Sequence, residues 1–80
     1  MIAADKVRTL LQDALPGARV EVEDLTGTSD HFKALIVAPQ FAGKSRIERH
    51  QLVYAALHEE MKGPIHALSL VTKTPEEHTA

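Results

Sequence analysis

The chain contains no cysteine, and this absence restricts its chemistry more than any other feature of the composition. Without a thiol it can form no disulfide, no cysteine nucleophile and no thiolate metal site of its own. The formal net charge of −2 gives little general attraction for a polyanion, so a nucleic-acid role would depend on a local basic patch. No apolar run approaches the roughly 18 residues that a membrane span requires, and we expect no membrane partner.

The length of 80 residues predicts a single domain over residues 1–80, near the lower end of the size that folds alone. The first eleven residues, MIAADKVRTLL, are a poor signal peptide because Asp5, Lys6 and Arg8 interrupt the apolar positions. We therefore expect a cytoplasmic location.

A Gly-Lys-Ser sequence at residues 43–45 resembles the end of a phosphate-binding loop but lacks that loop's first glycine. The motif requires G-x-x-x-x-G-K-[ST], and Ala38 occupies the position five residues before Gly43. Ser45 and Glu48 instead have the S-x-x-E spacing of a helix capping box. We interpret this segment as a loop and a helix start rather than a nucleotide site.

The first half of the chain predicts one helix and a hairpin. Residues 2–15 place apolar side chains at helical spacing, and the Pro-Gly pair at 16–17 ends that pattern. Residues 19–25 alternate between apolar and charged side chains, as in a half-buried strand. Residues 31–38 are apolar enough for a more central strand, which pairs antiparallel with the first.

The second half predicts a longer helix, a third strand and a short terminal helix. The helix is expected from Ser45 to about Met61, ended by a left-handed cap at Gly63. Residues 65–73 are the third strand, and the T-P-E-E sequence at 74–77 is a second capping box that opens the last helix. The inner side of the long helix is predicted to carry Ile47, His50, Val53, Tyr54, Leu57 and Met61.

This element order, α-β-β-α-β with a short final α, predicts a two-layer α+β domain. Three strands form one sheet, and the helices pack on one of its faces. The pattern shows no repeat or linker that would divide the chain.

Five histidines carry most of the chemistry that the sequence offers: His31, His50, His58, His66 and His78. His66 lies near the start of the third strand, where it either bonds a neighbouring carbonyl or offers a neutral imidazole ligand. His31 starts the second strand and serves as packing or as a ligand, and His50 borders the apolar side of the long helix. No pair has the H-x-x-x-H spacing of a helical metal site.

Lys44, Arg46 and Arg49 form a small basic cluster at the predicted helix start. Backbone N–H groups at such a position can bind phosphate. Glu48 lies within the cluster and weakens it, so a solvated helix face is the simpler interpretation.

Residues 30–77, DHFKALIVAPQFAGKSRIERHQLVYAALHEEMKGPIHALSLVTKTPEE, resemble the BolA family of small cytosolic proteins. The matching features are a phenylalanine after a polar loop, an F-x-G, an R-H-x-x-V-Y-x-x-L, an I-H-A-L and a T-P. In this sequence they are Phe32, Phe41–Gly43, Arg49–Leu57, Ile65–Leu68 and Thr74–Pro75.

The resemblance implies a fold like a class II KH domain and a monothiol glutaredoxin as partner. In such complexes a [2Fe-2S] cluster bridges the two proteins, with thiolates from a glutaredoxin cysteine and its bound glutathione. The BolA side contributes the histidine of I-H-A-L, here His66. It often adds a residue from the loop before the phenylalanine, where this chain has Thr28, Ser29 and Asp30. His31 is then the candidate second ligand, with Asp30 less favoured.

The resemblance therefore implies a non-enzymatic adaptor in iron–sulfur cluster transfer or in iron- and redox-linked regulation. Arg49, His50 and Thr74 are its expected partner-binding residues, and the free protein is expected to be a monomer or a weak dimer. The alternative is a KH-like, nucleic-acid-binding transcriptional regulator that uses Lys44, Arg46 and Arg49. KH domains clamp the nucleic-acid backbone with a GXXG loop, whose second glycine is Arg46 here. An enzyme has least support, since no cofactor fingerprint is present.

Overall fold

A three-stranded sheet with two helices on one face makes up the structure, a computed structural model that describes residues 2–25, 27, 31–63, 65 and 67–79. Short 3-10 turns follow the second strand and the second helix. None of the helices in these ranges is long and apolar enough to cross a membrane. The elements are α1 (Ala4–Ala14), β1 (Arg19–Asp24), β2 (His31–Val37), α2 (Arg46–Ala56), β3 (Ala67–Lys73) and α3 (Pro75–Thr79).

The strands lie in the order β1-β2-β3, so β2 is central, as its apolar sequence predicts. The β1–β2 pair is antiparallel, with Val20 opposite Ile36, and confirms the predicted hairpin. The β2–β3 pair is parallel, with Phe32 opposite Leu68. A parallel neighbour requires a crossover connection, which α2 supplies. The predicted α+β class is confirmed, and the KH-like label stays a prediction.

The core lies between the sheet and the two longer helices. Side chains of β2 alternate, so Phe32, Ala34 and Ile36 are buried beneath the helices while Lys33 is exposed on the opposite face. Helix α1 contributes residues spaced four apart, as its sequence pattern predicts. The buried cluster consists of Val7, Leu11, Leu15, Val20, Phe32, Ala34, Ile36, Ala38, Phe41, Val53, Leu57 and Ile65.

Helix α2 ends five residues earlier than the sequence pattern predicts. It stops at Ala56 rather than near Met61, and a 3-10 turn covers Glu60–Lys62. Gly63 has φ −150°, so the predicted left-handed cap is wrong. The chain turns back because buried Ile65 must reach the core, and its N–H donates to the carbonyl of Glu60 at 2.9 Å.

The buried face of α2 also differs from the prediction. Val53 and Leu57 are fully buried, but Ile47 is 71% exposed and Tyr54 is 40% exposed. At about 100° per residue, Ile47 and Tyr54 both lie roughly 100–120° around the helix from Val53, outside its contact with the sheet. His50 lies on the same side, between the direction of Val53 and that of Ile47 and Tyr54, and is half-buried. The helix therefore presents an apolar border that sequence periodicity assigned to the core.

The different burial of Ile36 and Ile47 predicts that the same substitution, Ile to Val, lowers the free energy of unfolding by different amounts at the two positions. We expect Ile36→Val to lower the free energy of unfolding by about 0.5–1.5 kcal/mol, because it removes a methylene group from a fully buried site. Ile47→Val serves as the matched control and should change it by less than about 0.5 kcal/mol. Urea denaturation followed by circular dichroism measures both, and equal effects would contradict the observed face of α2.

Candidate functional site

Arg49 joins four parts of the chain at one end of the sheet. Its Nη1 and Nη2 donate to the two carboxylate oxygens of Glu77 at 2.7 and 3.3 Å. Its Nε donates to the carbonyl of Lys44 at 3.1 Å, and Nη1 also reaches the carbonyl of Thr72 at 3.4 Å. The guanidinium carbon lies 5.8 Å from the ring centre of buried Phe41, within the range of a cation–π contact. With 13% of its side chain exposed, Arg49 is part of the fold rather than a free surface cation.

The carboxylate of Glu77 has a second task as the end of a capping box. The backbone N–H of Thr74 donates to Glu77 Oε1 at 2.8 Å, and the Glu77 N–H donates to Thr74 Oγ1 at 3.2 Å. This confirms the predicted box at the start of α3. The Arg49 hydrogen bond, followed by that of the Thr74 N–H, lowers the pKa of Glu77 from 4.5 to about 2. The Glu77 contact in turn raises the pKa of Arg49.

The capping box at the start of α2 is also confirmed. The Ser45 N–H donates to Glu48 Oε1 at 2.8 Å, and the Glu48 N–H donates to Ser45 Oγ at 3.2 Å. The first of these bonds lowers the pKa of Glu48. Gly43 precedes the cap with φ +76°, a backbone conformation that favours glycine. These local contacts replace the rejected nucleotide-binding interpretation of Gly-Lys-Ser.

An open groove of about 540 Å³ lies between the start of α2 and the second half of β3. It brings the basic cluster, Lys44, Arg46 and Arg49, to one wall. Lys73 and Glu77 complete its charged lining. The sequence pattern marks Glu77 only as a capping residue and carries no signal at Lys73. The residues around the groove are Lys44, Arg46, Arg49, His50, Leu70, Val71, Thr72, Lys73 and Glu77.

The three predicted partner-binding residues lie at or beside this groove in different states. His50 is half-buried, and its ring makes an edge contact with Tyr54 at 6.5 Å between centroids. Thr74 is 6% exposed, and its hydroxyl oxygen accepts the N–H of Glu77. Arg49 is held as described above. Of these three side chains Thr74 is buried, whereas Arg49 and His50 are half-buried and line the groove.

His31, one of the two predicted cluster ligands, lies beside the other end of β3. His31 is half-buried at the start of β2 and pairs with Ala67, the residue that follows His66 in the chain. His66 lies outside the described residues, as do Thr28, Ser29 and Asp30. Within the described ranges, no group of three or more histidine or carboxylate residues is placed to hold a metal ion. The two-histidine ligand set stays a prediction.

The family model for BolA-like proteins matches residues 11–77. The chain is 37% identical over 78 residues to human BolA-like protein 1, in an alignment that covers 89% of this chain and 57% of the relative. It is 40% identical over 79 residues to Protein BOLA2 of Arabidopsis thaliana, covering 96% and 84% of the two chains. The chain thus spans less than three fifths of the length of the human relative.

Solved structures share this fold at similar identity. A bolA protein homologue from Coxiella burnetii superposes with a TM-score of 0.86 at 36% identity, over 100% of both chains. The BolA domain of SufE1 from Arabidopsis thaliana gives 0.86 at 36% identity, covering 96% of this chain and 99% of the other.

The depressed pKa of Glu77 predicts how stability changes in acid. Ionised Glu77 contributes fully above its unfolded value of 4.5, and this contribution is lost as the pH falls from 4.5 towards 2. We therefore expect Glu77→Gln to lower stability at pH 6 and to flatten the acid-side loss within that window. Urea denaturation at pH 6, 4.5, 3.5 and 2.5 measures both effects.

The matched control is Glu76→Gln, which neutralises an exposed carboxylate on the same short helix. This variant should keep the wild-type dependence on pH. If Glu77→Gln and wild type lose stability in parallel between pH 4.5 and 2.5, the Arg49 contact does not stabilise the fold.

Proposed function

Because the chain belongs to the BolA-like family, we propose that it is a non-enzymatic adaptor that binds a monothiol glutaredoxin. The two proteins would hold a bridging [2Fe-2S] cluster and serve in iron–sulfur cluster transfer or in iron- and redox-linked regulation. The observation that carries this proposal is the family match, which spans both the R-H-x-x-V-Y-x-x-L segment and the I-H-A-L segment.

The register of β2 and β3 supports the proposed pair of histidine ligands. Parallel strands start at the same edge of a sheet, and His31 begins β2 opposite Ala67, the first residue of β3. His66 immediately precedes Ala67 in the sequence. His31 therefore lies opposite the residue that follows His66 in the sequence.

The donor set fits a cluster that is shared between two proteins. The chain has no cysteine, and its described residues include no cluster of three metal-binding side chains. We propose that glutaredoxin and its glutathione supply the thiolates, with His66 as the principal ligand and His31 as the second. A [2Fe-2S] cluster provides one-electron redox chemistry, and imidazole ligands raise its potential relative to thiolates alone.

The residues at the end of β3 that lies beside the groove would then hold the partner-binding surface in place rather than contact the partner. Arg49 and Thr74 are engaged inside the fold, and both fix Glu77 at the start of α3. We propose that these two residues position α3 and the end of β3, and that His50 at the groove meets the partner.

Cluster ligation is tested by adding the protein to a cluster-loaded monothiol glutaredoxin and recording visible circular dichroism. We expect wild type to produce a new spectrum, because imidazole replaces a ligand of the glutaredoxin-bound cluster. His66→Ala should abolish that change. His31→Ala should weaken or alter it if His31 is the second ligand.

His58→Ala is the matched control, since His58 is exposed on the turn after α2, and it should behave as wild type. A spectrum that stays unchanged with wild type, together with no complex in gel filtration, would contradict the adaptor proposal. A complex without a spectral change would restrict it to protein–protein binding.

A second candidate function, nucleic-acid binding, is favoured by the grouping of Lys44, Arg46 and Lys73 around one groove. The ion pair of Arg49 with Glu77 and the net charge of −2 count against it.

The adaptor proposal predicts that the chain binds DNA weakly. Lys44→Glu and Arg46→Glu should then change the DNA affinity no more than Lys6→Glu, a control charge reversal on α1. Fluorescence anisotropy over a salt series measures this affinity. A steep salt slope that falls by about 0.9 for each substituted groove residue would instead favour nucleic-acid binding.

A further inference from the structure

The groove beside α2 follows the outer edge of strand β3. Four consecutive residues, Leu70–Lys73, border it. Side chains of successive strand residues point to opposite faces, so consecutive residues share one groove only along the edge of the strand. Among the described strands β3 is the last in the order β1-β2-β3, and its outer edge has no strand beside it.

The backbone along this edge presents hydrogen-bonding groups to the groove. The carbonyl of Lys73 accepts the N–H of Ala38 at 3.0 Å, on the β2 side of the strand. Carbonyls of successive strand residues point alternately to the two edges, so the Thr72 carbonyl points outward, where Arg49 reaches it. The same alternation directs the backbone groups of Leu70 outward. An edge of this kind is a template for pairing with another chain.

Arg49 contacts this edge but does not block its hydrogen-bonding groups. Its 3.4 Å contact with the Thr72 carbonyl is longer than its 2.7 Å contact with Glu77. A carbonyl oxygen has two lone pairs, so Thr72 can accept a second donor beside Arg49.

The charged side chains around the edge determine which charge a binding partner must carry. Lys44 and Arg46 are exposed at the start of α2, and Lys73 ends the strand. Among the described residues that line the groove, Glu77 is the sole carboxylate, and Arg49 already pairs with it. An acidic chain is therefore electrostatically complementary to this surface, and a basic chain is not.

We propose that the outer edge of β3 at Leu70–Lys73 binds an extended acidic segment of a protein partner, which adds to the sheet as a fourth strand. Backbone hydrogen bonds to Leu70 and Thr72 hold the segment, and its carboxylates contact Lys44, Arg46 and Lys73. This interaction surface is independent of the proposed cluster, so its test requires neither glutaredoxin nor iron.

The test uses the peptide acetyl-Glu-Val-Glu-Val-Glu-Val-amide and nitrogen-15 NMR of the full chain at low salt. We expect saturable shifts of the Leu70 and Thr72 amides and slower hydrogen exchange at both. The double variant Lys44→Glu/Arg46→Glu should weaken binding by roughly tenfold, as expected for the reversal of two exposed charges. Lys6→Glu/Arg8→Glu, an equal charge reversal on α1, should bind as wild type.

Two control peptides separate strand addition from simple charge attraction. The same sequence N-methylated at every residue keeps its charges but cannot donate backbone hydrogen bonds, so it should not bind. A peptide with Lys in place of Glu should also fail.

Equal binding of the methylated peptide, or shifts confined to the start of α2, would overturn the proposal in favour of anion attraction. No shift at millimolar peptide would overturn it outright. Protection of Leu70 and Thr72 in concentrated protein without peptide would instead assign the edge to a second copy of the chain.

Discussion

The contact between Arg49 and Glu77 determines how one end of this sheet is assembled. One guanidinium satisfies a loop carbonyl, a strand carbonyl and a carboxylate, and it packs over the ring of Phe41. Helix α3 has only five residues, too few to be stable alone, so its position depends on this contact and on its capping box. The groove, the end of β3 and α3 therefore share one structural support, which lies at the opposite end of β3 from His31.

Much of the fold could be predicted because local patterns determine it. The alternation in β1, the apolar run of β2 and the two capping boxes are properties of short segments, and all are confirmed. The predictions for the end of α2 and for its buried face are wrong because neighbouring elements determine both features. Burial of Ile65 ends the helix early, and the angle of the helix on the sheet leaves Ile47 and Tyr54 outside.

The candidate site shows the same limit more sharply. The basic residues near Ser45 are close together in the sequence, so the sequence alone predicts their cluster. Glu77 pairs with Arg49 across 28 positions and has no local signal beyond its role as a cap. Lys73 joins them only because β3 ends beside the start of α2. His66 and His31 are predicted ligands through the family resemblance, because two histidines 35 positions apart form no local metal-binding motif.

The parallel pairing of β2 and β3 also affects the order in which the sheet forms. The hairpin of β1 and β2 closes a short loop, but His31 meets Ala67 only after the intervening chain, including α2, has been arranged. Contacts of this kind slow folding, and β3 is the strand whose attachment costs most conformational entropy. A protein that held β3 in place would therefore stabilise the whole native state by mass action. Binding of such a protein and completion of the fold would then be thermodynamically linked.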